Sequence, residues 1–467
     1  MGISNEAMKR LVVIGLDCMA PQLVFGAWRE HLPVLRGLME RGVAANLTST
    51  VPPITVPAWT AMMTSRDPGQ LGVYGFRNRA DHGYGNLQFA NSLAVKDKTV
   101  WNHMSRARRR SLVLGVPQTY PPKPLAGALV ASFLTPDRSA EFTFPPEFKS
   151  ELDAAAGGEY IIDVKDFRTE DKDRLRAQIE EMTRRRFRAF RRLHAADDYD
   201  FAIMVEMGTD RIHHGFWRYF DTEHRLYEPG NPYENVVLDY YRLVDHEVGQ
   251  TLESLPSGTS VMVVSDHGAK GMRGAICVNE WLMRQGYLVL DEPPRARTGL
   301  ELDKVDWKRT RVWGEGGYYA RIFLNVEGRE PDGVVRAAEY EGFRDRLAAE
   351  LEAIPDEEGR SINTVVYKPE DVYREVNGVA PDLLVYFGDL SWRSAGSIGT
   401  DSIHLFENDT GPDDANHAQE GIFIWDQKDV RPCDASYSIY DIAPTILDYL
   451  GLEIPPEMIG ESLLKRT

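Results

Sequence analysis

Apolar positions in this chain gather into a few short, nearly uninterrupted runs. "RLVVIGLD" (Arg10–Asp17) is the first. "SLVLGVP" (Ser111–Pro117), "YDFAIMVEMGTD" (Tyr199–Asp210) and "TSVMVVSDHG" (Thr259–Gly268) share its texture, and "GIFIW" (Gly421–Trp425) comes near the end. A continuous β-rich run suits a strand buried on both faces, as in a parallel sheet. Helical patterns lie between the runs, such as "PVLRGLMERG" (Pro33–Gly42), which closes on glycine. The alternation predicts an α/β fold, a mostly parallel central sheet flanked by helices.

The texture changes after Gly274. "YYARIFLN" (Tyr318–Asn325) has strand character, "YEGFRDRLAAELEAI" (Tyr340–Ile354) reads as a helix, and "NTVVYKP" and "DLLVYF" read as two more strands. These predict a small inserted α+β lid domain over 282–387, splitting a core of 1–281 and 388–467. The loops near Tyr74 to Tyr84 are a second lid candidate. Trp313, Tyr318 and Tyr319 either stack on a substrate base or fill the insert's own core, and the second reading is preferred. Arg168 to His194 is charge-rich and contains "RRRFRAFRR". Acidic residues precede the basic run. It therefore reads as the solvated face of an amphipathic helix with Phe187 and Phe190 turned inward, not as a nucleic-acid or membrane surface.

Composition narrows the class. The 467 residues leave room for one large core and an insert. With 43% hydrophobic and 27% charged residues the chain reads as globular. A net charge of −17 argues against a nucleic-acid scaffold, whose footprint is a basic face. It leaves a small anionic substrate open, because bound cations invert the local sign. The three cysteines, Cys18, Cys277 and Cys433, are too widely spaced for a disulfide framework or a cysteine zinc site. They fit a reducing, cytoplasmic compartment. No apolar segment precedes the first strand and no run of about 18 apolar residues occurs, so neither a signal peptide nor a membrane span is expected.

In open parallel sheets ligands bind beyond the carboxyl ends of the strands. The first run ends in Asp17; the third ends in "GTDRIHHGFW", with Asp210 and His214; the fourth ends in Asp266 and His267. His417 lies in "DDANHAQEG", just before the last run. Alone, each has an ordinary reading as a helix cap or a satisfied core residue. Together, carboxylates and imidazoles at four strand ends, with no cysteine among them, suit two divalent metals in an open site, Zn²⁺ best and Mn²⁺ also. Asp210 and His214 are four apart, so a short helix would project both from one face. His213, three from Asp210, is the rival. Asp266 and His267 are neighbours and can serve one metal only at a turn, which Gly268 permits.

Two metals about 4 Å apart suit in-line phosphoryl displacement. "STVPPITVPAWTAMMTSRDPGQLGVYGF" (Ser49–Phe76) offers a nucleophile in Thr55, read as the N-cap of a helix with Pro57 in its first turn. There, backbone N–H groups favour a phosphate. The plain alternative is that Thr55 only caps. Lys270, Arg273 and Asn279 either contact substrate anions or serve as loop solvation and a helix cap, and the second reading is preferred.

The ordered set "VIGLD", "TVPAWTAMMTSRDPGQLGVYGF", "GTDRIHHGFW", "VVSDHG" and "NHAQEG", with the tail "YDIAPTILDYLGLEIPPEMIGESLL", resembles the alkaline phosphatase superfamily and, within it, the type I phosphodiesterase/nucleotide pyrophosphatase branch. The resemblance implies that Asp17, Asp266 and His267 bind one metal, which also contacts Thr55. Asp210, His214 and His417 would bind the other. It implies that Thr55 attacks phosphorus and forms a phosphothreonine, which water then hydrolyses. An asparagine downstream of the nucleophile helps hold phosphate in the branch; Asn78 is the candidate here and Arg77 its alternative. Trp59, four residues after Thr55, departs from the arginine of the related sulfatases. The expectation is a phosphodiesterase acting on a small phosphate ester. A monoesterase, phosphonate hydrolase or mutase on the same scaffold is the runner-up, and a catalytically idle, metal-stabilised binding protein is the alternative from another class.

Overall fold

The computed structural model describes residues 9–465. The stretch 1–8, read above as free of a leader, lies outside the described residues. Nine strands form the main sheet: β1 (Arg10–Leu16), β2 (Val43–Thr48), β3 (Ser111–Leu114), β4 (Gly127–Val130), β5 (Thr143–Phe144), β6 (Phe201–Glu206), β7 (Thr259–Val264), β8 (Glu420–Trp425) and β9 (Ser436–Ser438). Their order across the sheet is β9-β2-β8-β7-β1-β6-β3-β4-β5. The run from β7 through β1, β6 and β3 to β4 is parallel. Every residue of β3 and β6 is buried, as the unbroken apolar runs require. The last predicted run, β8, is antiparallel to both its neighbours, β7 and β2.

Register fixes where the chemistry collects. Gly15 is level with Val205 on one side and Val264 on the other, so β1, β6 and β7 end on one edge. Asp17, the segment after Glu206, and Asp266–His267 therefore emerge together. Gly15 itself is required by a close approach. A Cβ there would lie 2.4 Å from the Trp59 ring and 2.9 Å from Val205.

Four helices matter for the site: α1 (Pro33–Arg41), α2 (Thr55–Thr64), α3 (Lys172–Ala196) and α4 (Gly208–Phe220). The charge-rich helix α3 starts at Lys172, not at Arg168, because Asp171 caps it by accepting from the Arg174 N–H. Phe187 and Phe190 are fully buried. Within the basic run Arg186 also turns inward, donating to the carbonyls of Ile162 and Val205 and to the Tyr160 hydroxyl.

A second, four-stranded antiparallel sheet is built from Val312–Glu315, Ala320–Leu324, Leu383–Tyr386 and Val365–Tyr367, in that order. The helix Tyr340–Glu352 covers it with Phe343, Leu347 and Leu351. This second core draws residues from Ile276 to Trp392. Trp313 fills it, whereas Tyr318 sits at its edge and faces the main sheet's open end.

Candidate functional site

Two clusters of side chains stand at that end. In the first, Asp17, Asp266 and His267 are buried, with one potential ligand atom each lying within 4.8 Å of the others. The second, Asp210, His214 and His417, meets the same condition. Asp17 follows β1 directly, and Asp266 and His267 follow β7. Helix α4 supplies Asp210 and His214 one turn apart, His214 Nε2 lying 3.2 Å from Asp210 Oδ1. His213 points elsewhere, its Nε2 meeting the Tyr241 hydroxyl at 2.9 Å. A two-stranded ladder between Gly268–Gly271 and Ala415–Ala418 brings His417 opposite Ala269. The rings of His267 and His417 stack with centroids 3.9 Å apart.

Each imidazole is held from behind. The Nδ1 atoms of His214, His267 and His417 meet Asp413 Oδ1 at 2.7 Å, the Gly268 carbonyl at 3.1 Å and the Pro53 carbonyl at 2.8 Å. Donation from Nδ1 fixes the tautomer and leaves all three Nε2 atoms facing inward as ligands. The carboxylates are less well provided for. Asp17 Oδ1 and Asp266 Oδ2 are buried without a hydrogen-bond partner among the described residues. Burial, with Asp210 near Asp17 and Asp17 near Asp266, pushes both carboxyls well above their ordinary range. Burial also pushes His267 down to about 4 and His417 well below the usual imidazole value. Orphaned carboxylate oxygens beside imidazoles whose Nε2 atoms face inward are the donor set that divalent cations complete, so the residues present fit two metals.

Thr55 is the first residue of α2, not its cap. The cap position is Ile54, and the Thr55 hydroxyl makes no capping bond. Its Oγ1 instead lies 3.3 Å from His267 Nε2. Buried Trp59, one turn on, donates from Nε1 to Asp17 Oδ2 at 2.6 Å, which ties the helix to the first cluster.

A cavity of about 530 Å³ opens in front of Thr55, and Asp210 and His417 also line it. Arg77 lines it as well. Asn78 and Lys270 are not among its lining residues. The Asn78 amide closes its own turn, accepting from the Tyr74 N–H and donating to the Gly75 carbonyl. Lys270 donates to Asp389 and borders a separate cleft. Arg273 borders that cleft too, and Asn279 is buried against Gly314.

Four residues that the strand-end reasoning passed over join the site. Asp413 accepts from His214, from Arg168 Nε at 2.9 Å and from the Tyr318 hydroxyl at 3.2 Å. That pull holds its carboxyl down at about 2 against burial, with His214 foremost. Asp413, followed by Asp210, in turn lifts His214 to about 9. Tyr318 stacks on His417 and His214, centroids 4.4 and 4.9 Å apart, so it roofs the second cluster instead of filling the insert. Arg211 bridges Asp210 and Asp163. The carboxylate in "DDANHAQEG" is the one legible hint; the contacts of Tyr318 and Arg168 join residues about a hundred or more positions apart, and Arg211 reaches Asp163 across 48.

The profile of the family described as type I phosphodiesterase/nucleotide pyrophosphatase matches residues 11–413. Among solved structures, phosphonoacetate hydrolase from Sinorhizobium meliloti 1021 in complex with phosphonoacetate is similar. It has a TM-score of 0.62 at 16% identity, covering 95% of each chain. Human ectonucleotide pyrophosphatase/phosphodiesterase 5 gives 0.55 at 13% identity over 98% of this chain and 100% of that one. These likenesses show the alkaline-phosphatase-like fold. A 2,3-bisphosphoglycerate-independent phosphoglycerate mutase from Malacoplasma penetrans is 40% identical over 62 residues, 13% of this chain and 12% of the mutase. Among the described residues no helix is long and apolar enough to cross a membrane.

Proposed function

Because the chain belongs to the type I phosphodiesterase/nucleotide pyrophosphatase family, and is thus a metal-dependent phosphoryl hydrolase, we propose that it cleaves small phosphodiesters through Thr55. The observation that carries this is the placement of Thr55 Oγ1: it lines the cavity together with Asp210 and His417 of the second cluster and lies 3.3 Å from His267 Nε2 of the first. Asp17, Asp266 and His267 hold one divalent cation, and Asp210, His214 and His417 hold the other. Bound there, the cations supply charge that stabilises the attacking and leaving oxygens of an in-line displacement and lowers the pKa of the oxygens they touch. The chain's own residues do the rest. Thr55 gives up its hydroxyl proton and forms the bond to phosphorus, and the ester oxygen leaves with a proton. Water then displaces Thr55 from phosphorus and the hydroxyl regains its proton. The first N–H groups of α2, at Thr55 and Val56, have no acceptor within the helix and face the phosphoryl oxygens. Trp59 keeps Asp17 in place.

Zn²⁺ suits this donor set best. The three free cysteines, two of them buried, support a reducing, cytoplasmic setting. The test is turnover of a chromogenic phosphodiester and monoester by metal-replete protein, with metal content measured alongside. Thr55→Ala is expected to lose at least about 10³-fold in kcat, the loss of a nucleophile, while keeping its metal. Acid quench of the wild type during turnover of the diester is expected to trap on Thr55 the phosphoryl group that still carries the second ester. Undiminished turnover in Thr55→Ala would overturn the proposal, and preference for the monoester would move the substrate class.

A further inference from the structure

Five arginines line the cavity in front of Thr55, and four of the residues around it already pair most of them off. Arg211 is bound to Asp163 and Asp210, Arg168 to Asp413, and Arg393 to Asp409. Two are left. Arg321 is only 9% exposed, yet it has no ion pair among the described residues. Its one hydrogen bond runs from Nη1 to the carbonyl of Arg77. Nε and Nη2 are left without a partner, on a side chain that lines the cavity. The Arg77 guanidinium is exposed, lies 5.4 Å from the centre of the Phe89 ring, and also has no carboxylate partner among the described residues. Glu315 faces Arg321 across the strand pair and lines the cavity, but forms no ion pair with it.

A guanidinium taken nearly out of water costs free energy unless its donors are used. Each of the three neighbouring arginines spends donors on a carboxylate. Arg321 meets it with one carbonyl and keeps a planar two-donor edge, Nε and Nη2, unspent on a side chain that lines the cavity. Such an edge matches an oxyanion in bidentate geometry. We infer that Arg321, with Arg77 beside it, forms a second anion subsite that receives a carboxylate or phosphate group of the substrate remote from the scissile phosphorus. This rests on the reading that the reacting phosphorus sits at Thr55. It makes the favoured substrate an organic phosphate ester with two separated anionic ends.

The test is calorimetric titration of the metal-replete protein with alkylphosphonates and with ω-carboxyalkylphosphonates of equal length. A parallel series carries a second phosphonate in place of the carboxylate. At the best chain length the wild type is expected to bind one doubly ended series at least about tenfold more tightly than the plain alkylphosphonate, about 1.4 kcal/mol. Whichever series wins names the oxyanion. In Arg321→Met the preference is expected to fall to within about twofold, and in the exposed-site variant Arg77→Met to shrink in the same direction. Equal binding of all series by the wild type would overturn the inference, as would a preference that survives both substitutions. If Arg321→Met does not fold, the wild type and Arg77→Met decide the matter. Turnover of chromogenic esters is scored separately. Its absence with the anion preference intact would defeat the hydrolase reading alone, and its presence without the preference would defeat this inference alone.

Discussion

Replacing Asp413 by asparagine tests how far the second cluster depends on what lies behind it. The carboxylate takes three donors: His214 Nδ1 at 2.7 Å, Arg168 Nε at 2.9 Å and the Tyr318 hydroxyl at 3.2 Å. Asparagine has the same shape but only one acceptor oxygen, so at least one of the donors then meets an amide NH₂. The substitution also removes the one carboxylate that Arg168 pairs with among the described residues. Arg168 keeps access to the solvated cavity, so the full penalty of stranding a buried charge does not apply. What remains is the loss of the group that orients a ligand imidazole, and such outer partners are worth about 10- to 100-fold in metal affinity. That is about 1.4–2.7 kcal/mol. Competition with a chromogenic chelator measures it directly. The expected result is one weakened metal of two, since the cluster of Asp17, Asp266 and His267 makes no contact with Asp413. Two affinities both within twofold of the wild type would refute the reasoning. So would equal weakening of both, which would indicate general loosening of the fold.

Two substitutions outside the ligand clusters probe the packing that positions them. Gly15→Ala puts a methyl group 2.4 Å from the Trp59 ring and 2.9 Å from Val205; overpacking of this kind is expected to cost about 1–3 kcal/mol, read as a lower urea midpoint. Arg186→Met leaves buried Glu206, whose Oε1 lies 4.0 Å away, without its cation and strands the Ile162 and Val205 carbonyls. About 3–5 kcal/mol is expected by equilibrium unfolding, against no more than about 0.5 kcal/mol for Arg184→Met on the exposed face of the same helix.

The parts of the site legible in the sequence share one property: their geometry is local. Asp17 and Asp266–His267 are legible because a doubly buried strand writes itself as an apolar run, and the first polar residue after it must emerge at the sheet's end. Asp210 and His214 are legible because four residues make one helical turn. The direction of β8 is not, because a strand buried on both faces carries the same pattern whether it runs parallel or antiparallel. Thr55 as the first helical residue, instead of the cap, turns on the extended conformation of Ile54 (φ −120°, ψ 133°), and isoleucine gives no capping signal. The Asn78 amide is spent within four residues, on its own turn, and the residue type alone gives no sign of that. Tyr318 and Arg168 reach Asp413 across 95 and 245 positions. No periodicity records a contact of that kind.

These long-range contacts also divide the labour within the protein. The six candidate ligands gather at one edge of the main sheet, their relative positions set by strand register, by the first turns of α4 and, for His417, by the ladder with Gly268–Gly271. The groups that orient the three imidazoles come from three other places: the Pro53 carbonyl just ahead of α2, the Gly268 carbonyl in the ladder, and Asp413. Asp413 is joined to the edge of the second sheet through Tyr318, which covers His214 and His417 with its ring. A shift of the strand Ala320–Leu324 would move the neighbouring Tyr318 and Arg321 together, one over the second cluster and the other at the far side of the cavity. The same movement that changes how the remote end of a substrate is held thus changes the cover over the ligands.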